Sequence, residues 1–273
     1  MPCCHSERRR RAFPPLIKAY LRHYFRAGNA HSIHSPFVYE LYNQVIKSKK
    51  KKNADFEEIE LQREKLLQRK DKIETLDLGA GSRRNKSNRR KIGEIAKNAE
   101  KPARFGQFFY RLSQYLQPET ILELGTSLGI TTAYFAKALP KSAIVTMEGC
   151  PETARLAKKN FSELGLNNAS VVVGNIDHTL PDFLKKQSRK VGLAFFDANH
   201  RYEPTVRYFE DALPYVDENS VFIFDDIYWS QEMTAAWKEI KAHPEVTVTI
   251  DLFWVGLVFF RKAQVKEDFV LRF

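Results

Sequence analysis

One stretch, residues 120–175, limits the fold more than any other. It opens with the apolar run Thr120-Ile121-Leu122-Glu123-Leu124, which breaks at Gly125. A second glycine, Gly129, starts a helical pattern with Ala133, Phe135, Ala136 and Leu139 on one face. Another apolar run, 143–147, follows and ends at Glu148. Strand, glycine turn, helix, strand, acidic tip is the order of the first half of a nucleotide-binding α/β sheet. Each part has a physical reason. Glycine lets backbone pass close to a ligand. An acidic side chain at the tip of the second strand can accept both hydroxyls of a ribose.

The alternation continues to the end of the chain. Strands are expected at 120–125, 143–148, 170–173, 191–196 and 221–224. Helices are expected between and after them at 129–139, 151–164, 179–187, 204–216 and 230–242. Two final runs, 246–252 and 256–261, leave almost no room for a crossover, so they should form an antiparallel hairpin. The expected fold is α/β, a mostly parallel sheet closed by that hairpin, over 118–273. Residues 1–117 are expected to form a basic, mostly helical N-terminal region.

Charge placement supports that division. Of a net +11, residues 1–100 carry 24 Lys+Arg against 12 Asp+Glu, and the remainder carries 20 against 21. The excess positive charge therefore belongs to the appendage and not to the sheet. Residues 1–12 read as disordered, with lipidation of Cys3 and Cys4 as the less favoured alternative. Three cysteines, Cys3, Cys4 and Cys150, give neither a disulfide framework nor zinc spacing, which points to a reducing cytoplasm. No run is apolar enough for a membrane helix, and MPCCHSERRRRAF, with no apolar segment after its arginines, is not expected to act as a secretory signal.

Helices are expected at 14–27 behind a proline start, at 36–46 capped by Ser35, and at 102–117. Residues 47–52 form a basic run, and 53–74 read as a solvated helix with a thin apolar stripe. This arm is expected to cover the substrate mouth or to form a homodimer contact. The segment 75–83, TLDLGAGSR, imitates a second nucleotide loop, but no strand with an acidic tip follows it. It reads as a glycine turn between two helices. The alternative is that Gly79–Arg84 folds over a ligand and lends Arg83 or Arg84 to an anion. Arg89-Arg90-Lys91 reads as part of a short solvated helix.

Ligands of open α/β sheets bind at the carboxyl ends of the strands. Here those ends read Gly174-Asn175-Ile176-Asp177, Phe196-Asp197-Ala198-Asn199-His200 and Phe224-Asp225-Asp226. Three carboxylates at two adjacent tips repel one another, and a hard divalent cation such as Mg²⁺ relieves the repulsion with oxygen ligands. The plainer alternatives are that Asp225 and Asp226 cap the next helix and that His200 is a hydrogen-bonded loop histidine beside Tyr202. His31, His34 and His178 read as capping or surface groups. Trp229, Phe253 and Trp254 lie near the strand-end rim and read either as packing or as an apolar substrate wall.

The glycine spacing, with Glu123 two residues ahead of Gly125, resembles motif I of the class I S-adenosylmethionine (SAM)-dependent methyltransferases. That resemblance covers about residues 118–262 and implies the Rossmann-like methyltransferase sheet. It implies that Glu123 lies near the methionine amino group and that Glu148 holds the ribose. Around them it implies a cofactor site of Gly125, Thr126, Ser127, Gly129, Gly149, Asn175, Ile176 and Asp197. The acids at the strand-four and strand-five ends resemble the cation-dependent O-methyltransferases of the catechol and caffeoyl-coenzyme A type. By position Asp197, Asp225 and Asp226 would then be metal ligands, and Asp197, His200 and Asp226 catalytic. There are two departures. His200 stands where that family has a lysine base, and Asp226 stands where it has asparagine. Histidine could take the proton or bind the metal instead. The segments IHSPFVYELY, DLGAGSR and IDLFWVGLVFFRK also resemble a group of bacterial methyltransferase homologues of unassigned substrate.

The expected activity is methylation of a small-molecule hydroxyl with SAM as cofactor, helped by a divalent cation such as Mg²⁺. A nucleic-acid (RNA) methyltransferase using the basic N-terminal third is the alternative. It is less favoured, because Asp197-Ala-Asn-His200 is not the Asn/Asp-Pro-Pro-aromatic motif of base-amine methyltransferases. A non-catalytic SAM-fold binding module is the third reading.

Overall fold

A computed structural model describes residues 13–48, 53–76 and 88–273. The chain opens with helices α1 (Phe13–Arg26) and α2 (Pro36–Leu41). Ser35 caps α2 by accepting the Val38 N–H, and a π turn, Tyr42–Ile46, continues it. Helix α3 (Ala54–Leu67) starts at Asn53, whose side chain accepts the Asp55 N–H at 2.8 Å. These starts follow from the side-chain acceptors that precede them.

Helix α3 stops short of the expected residue 74. Strand β1 (Lys72–Glu74) follows, paired antiparallel with β2 (Arg89–Lys91). The charge alternation suggested one long solvated helix. Instead the period-two pattern around Ile73, which is buried between exposed Lys72 and Glu74, decides for a strand. Arg89-Arg90-Lys91 is likewise strand and not helix. The glycine segment therefore joins two strands where two helices were expected. Gly79–Arg84, Cys3, Cys4 and most of the basic run at 47–52 lie outside the described residues. Helices α4 (Ile92–Asn98) and α5 (Ala103–Leu116) lead into the main sheet.

Among the described residues that sheet has eight strands. They are β3 (Thr120–Leu124), β4 (Ala143–Glu148), β5 (Ala169–Val173), β6 (Leu193–Phe196), β7 (Val221–Asp225), β8 (Val248–Asp251), β9 (Val255–Phe259) and β10 (Glu267–Val270). Their spatial order is β10-β8-β9-β7-β6-β3-β4-β5. Strands β3 to β7 are mutually parallel, and β9 runs antiparallel to both β7 and β8. The hairpin expectation holds. The edge strand β10, parallel to β8, was not expected. Chain order turns back at β3, with β4 on one side and β6 on the other, which sets the switch point above the carboxyl ends of these strands.

Helices α6 (Ile130–Ala138), α7 (Pro151–Glu163), α8 (Ile176–Lys185), α9 (Tyr202–Ala212) and α10 (Gln231–Ala242) make the crossovers. Every residue of β3, β6 and β7 is buried, as strands covered on both faces require. One cover joins α5 and α6 with N-terminal residues such as Leu41 and Ile59, and the other includes α8, α9 and α10. Phe109 of α5 lies with its ring centroid 4.9 Å from that of Phe195 and 5.7 Å from that of Phe135. Helix α3 is tied to α6 through Tyr134 Oη donating to Glu60 and Lys137 Nζ donating to Glu58, both at 2.8 Å. Among the described residues no helix is long and apolar enough to cross a membrane.

Candidate active site

The site begins where β3 ends. Gly125 has φ +101°, and a Cβ built there would lie 2.3 Å from the Asp197 carbonyl oxygen. Only a residue without a side chain lets the turn pass this close to the end of β6. Gly129, at φ +81°, faces the Phe161 ring in the same way. Between them Ser127 also has a left-handed backbone, with φ +49°. Thr126 Oγ1 is 2.6 Å from Thr146 Oγ1, which joins the turn to β4. The turn's amides are already directed at acids. Ser127 N–H donates to Glu148 at 2.9 Å, and Leu128 N–H donates to Glu100 at 2.8 Å. Asn160 Nδ2 donates to the Leu128 carbonyl and so braces the turn from α7.

Glu123 is fully buried on β3. One carboxyl oxygen accepts Thr132 Oγ1–H, and the other, Oε1, has no hydrogen-bond partner. Burial pushes its pKa up to about 8; the hydrogen bonds from Thr132 and Thr146 oppose this, and the charges of Asp197 and Glu100 add to it. An unpartnered buried carboxyl oxygen is costly unless a ligand satisfies it. Glu148, at the tip of β4, accepts from Ser127 N–H and, past Gly149, from Cys150 N–H. At the tip of β5, Asn175 caps α8, and the partly buried Ile176 opens that helix. Asp177 is engaged elsewhere: Tyr208 Oη and Arg207 donate to it at 2.6 and 2.8 Å and hold its carboxyl below the ordinary range.

Across Gly125 lies an acidic centre. Asp197 Oδ1 is 3.4 Å from His200 Nε2, and Asp225 is buried at the tip of β7. Asp197, His200 and Asp225 can each offer a ligand atom, and these atoms lie within 4.8 Å of one another. The structure thus groups His200 with Asp197 and Asp225, whereas Asp226 stands outside the group. Asp226 has φ +53°, and its N–H donates to the Trp254 carbonyl at 2.7 Å. Asn199 and His200 are also left-handed, at φ +63° and +30°. Left-handed backbone at non-glycine residues costs on the order of 1–3 kcal/mol each, and here it gathers at the tips of β6 and β7. The capping alternative fails for Asp225 and Asp226, because α10 is capped by Ser230, which accepts the Met233 N–H at 3.0 Å.

Lys101 enters this centre from the link between α4 and α5. Its Nζ is hydrogen-bonded to Asp225 Oδ2 and lies 3.9 Å from Asp197 Oδ1. Burial alone would lower its pKa, but the charges of Asp197, Asp225 and Asp226 raise it well above normal and keep it an ammonium. Asp225 is pushed up, first by burial and then by Asp197, with Lys101 and His200 opposing. His200 would be lowered by burial, yet its bond to Asp197 and the charges of Asp225 and Asp226 raise it. Asp225 Oδ1 remains without a partner.

An aromatic wall stands beside Asp226. Tyr228 stacks on buried Phe253, with centroids 5.2 Å apart, and Trp254 meets Phe253 edge-on at 4.9 Å. Trp229 and Trp254 stay partly exposed. His31, His34 and His178 are exposed, and among the described residues none of them joins such a group.

Sequence reasoning missed Lys101 and Glu100. Both sit in a charged run that reads as solvated surface, and the nearest local signal, Pro102 at a helix start, says nothing about where the preceding side chains go.

This fold is like that of solved methyltransferases. Residues 122–227 match the family model described as a methyltransferase domain. The chain is 32% identical over 124 residues to a catechol O-methyltransferase of Niastella koreensis, covering 45% of this chain and 55% of that protein. It is 31% identical over 127 residues to a catechol O-methyltransferase of Mycobacterium tuberculosis, covering 46% and 56%. It thus spans about half the length of the curated relatives it matches. An O-methyltransferase of Bacillus cereus, solved in complex with SAH, superposes with a TM-score of 0.56 at 19% identity, over 82% of this chain and 97% of that one.

Proposed function

We propose that this chain is a SAM-dependent methyltransferase acting on a hydroxyl of a small molecule. The observation that carries the reading is the meeting, across Gly125, of a turn flanked by Glu123 and Glu148 with the centre formed by Asp197, His200 and Asp225. The first half suits a cofactor and the second an acceptor. The likeness to catechol O-methyltransferases supports the same assignment.

The residues present fit the cofactor. The free Oε1 of Glu123 is an acceptor suited to an ammonium group. Glu148, held at the tip of β4 by the Ser127 and Cys150 amides, is a carboxylate of the kind that accepts ribose hydroxyls. Gly149, Asn175 and Ile176 would flank the base, with Thr126 and Ser127 along the turn. SAM supplies an electrophilic methyl group. The site's task is then to hold an acceptor oxygen in line with it, which is where most of the rate arises. His200, held against Asp197, would take the acceptor's proton. Tyr228, Phe253 and Trp254 would offer the acceptor an apolar face.

The donor set also fits a divalent cation, since two carboxylates and an imidazole are suitable ligands and Asp225 Oδ1 lacks a partner. Asp197 and Asp225 would hold it, with His200 a third ligand only in place of its role as base, and it would supply Lewis acidity toward the acceptor hydroxyl. Asp226, half-buried beside them, would add negative charge to the centre.

Titration calorimetry of the full chain with SAM and SAH, in Mg²⁺ and in EDTA, tests the cofactor half. Binding is expected, and Glu148→Ala should weaken it on the order of tenfold or more, the loss of charge-assisted hydrogen bonds to the ribose. If neither ligand binds under either condition, the methyltransferase reading falls and the binding-module alternative replaces it.

A further inference from the structure

The acidic centre holds a cation that belongs to the chain itself. Lys101 is one of four residues linking α4 to α5, and its neighbours fix it from two sides. Before it, Glu100 accepts the Leu128 N–H of the glycine turn at 2.8 Å. After it, Pro102 leads directly into α5. The link is therefore a strap from the cofactor turn to the acidic tips. The Lys101 side chain is 17% exposed and that of Asp225 is 1% exposed, so the contact is shielded from solvent. Nζ lies against Asp225 Oδ2 and within 3.9 Å of Asp197 Oδ1. These are the two carboxylates that, with His200, have the spacing of a divalent cation site.

An ammonium and a divalent ion on those oxygens repel each other. Each would sit within a few ångströms of the other, and at that separation their repulsion in a buried site is large. Occupation by one disfavours the other.

We propose that Lys101 is the resident counter-cation of the acidic centre and competes with a divalent metal ion for Asp225 and Asp197. The proposal rests on reading these carboxylates as the acceptor-activating centre. The ammonium neutralises part of the charge that would otherwise draw a metal, and it occupies Asp225 Oδ2. Removing it leaves both Asp225 oxygens free beside Asp197 and His200, with an excess of negative charge. The metal affinity of this chain is thus set by a lysine outside the ligand set.

The test measures Mn²⁺ binding directly, by the loss of the free-ion paramagnetic resonance signal, on the full-length wild type and on Lys101→Met, Lys101→Gln and Lys101→Arg. Lys101→Met and Lys101→Gln should bind Mn²⁺ on the order of tenfold or more tightly than wild type, because a buried competing charge is gone. Lys101→Arg, which keeps the charge, should stay near wild type. Lys101→Met should also melt at a lower temperature in EDTA and recover in Mn²⁺. Lys101→Gln keeps a donor for Asp225 and serves if Lys101→Met does not fold. Equal or weaker Mn²⁺ binding by the neutral variants overturns the proposal. SAH binding, measured on the same preparations, reports separately on the cofactor site. Its absence from wild type would sink the methyltransferase reading and leave the Mn²⁺ comparison intact.

Discussion

Glu123 links a single side chain to the pH behaviour of the protein. Its pKa in the fold, about 8, lies above its ordinary value of 4.5, chiefly through burial. The folded state therefore binds this proton more tightly than the unfolded chain. The stability that follows is complete below pH 4.5 and is lost as pH rises through about 8. Asp225, Asp226 and His200 are shifted upward too and act in the same sense. Replacing Glu123 by Gln removes one titrating group and keeps the shape. Unfolding free energies of the variant from urea titration, followed from about pH 5 to 8, should fall less steeply than those of wild type, by a few kcal/mol over the range. Parallel curves would show that Glu123 ionises normally. A cationic amino group docking at Oε1 should also expel the Glu123 proton, so the calorimetric enthalpy of SAM binding near neutrality should depend on the buffer's ionisation enthalpy. Gly125 makes a steric prediction at the same scale. Alanine there meets both a left-handed φ and the Asp197 carbonyl, so Gly125→Ala should cost about 2 kcal/mol or more in denaturant unfolding. A loss below a few tenths would mean that the turn relaxes freely.

Element placement was legible where the pattern was local. Strands β3 to β7 carry runs of apolar residues and end at glycine or acid, so their positions and the carboxyl ends that carry the site could be read directly, whereas their spatial order rests on pairing between distant segments. The β8–β9 hairpin was legible from its short connection. Strand β10 was not, because Glu267–Val270 mixes charge with apolar residues and becomes a strand only by pairing with β8. Strands β1 and β2 were missed for the same reason: each is three residues long and exists through the other. At the site, the glycine turn and the acids at the strand tips were visible in the sequence. Lys101 was not, since only the packing of α5 carries its link to the tips of β6 and β7. Helix α1 shows a similar long-range tie. Its His23 Nε2 lies 3.2 Å from Asp251 Oδ1, and Tyr228 Oη donates to Asp251 Oδ2 at 2.5 Å. Burial would raise the Asp251 pKa, but the bonds from His23, Tyr228 and the Phe253 N–H hold it below the ordinary range. This contribution therefore persists above that range and is lost as pH falls through the depressed value. Asparagine at 251 offers one acceptor oxygen in place of two, so Asp251→Asn should cost about 1.5–3 kcal/mol. Amide exchange in α1 should speed up while that in α7, which packs against β5 at the opposite end of the sheet from β8, stays unchanged. Unchanged exchange in α1 would show that its apolar contacts alone hold it.

At the scale of the whole molecule, the question is whether the sheet can stand without what precedes it. The sequence suggests a boundary at 117/118, where the strand–helix alternation begins. The packing makes a sharper demand. Phe108, Phe109 and Leu112 of α5 are fully buried, in the same cluster as Ile121, Phe135 and Phe195. Leu41, Val45, Ile59 and Leu66 extend that cluster from the preceding helices. Each such side chain contributes about 1.5–3 kcal/mol by leaving water. Losing the three from α5 alone removes an amount comparable to the roughly 5–15 kcal/mol that holds a typical domain together. It also uncovers the Phe135 and Phe195 side chains, and it deletes Glu100 and Lys101 from the site. A fragment of residues 118–273 should therefore unfold without a cooperative transition or aggregate on expression. The full chain should melt as one unit, by circular dichroism and by calorimetry alike. A fragment beginning at residue 102 keeps α5 but not α3, and it should fall between the two in thermal midpoint. If residues 118–273 instead melt cooperatively near the full-chain temperature, the sheet is self-sufficient. The N-terminal helices are then an accessory that covers an already stable domain, and their basic charge has to be explained by something other than the fold.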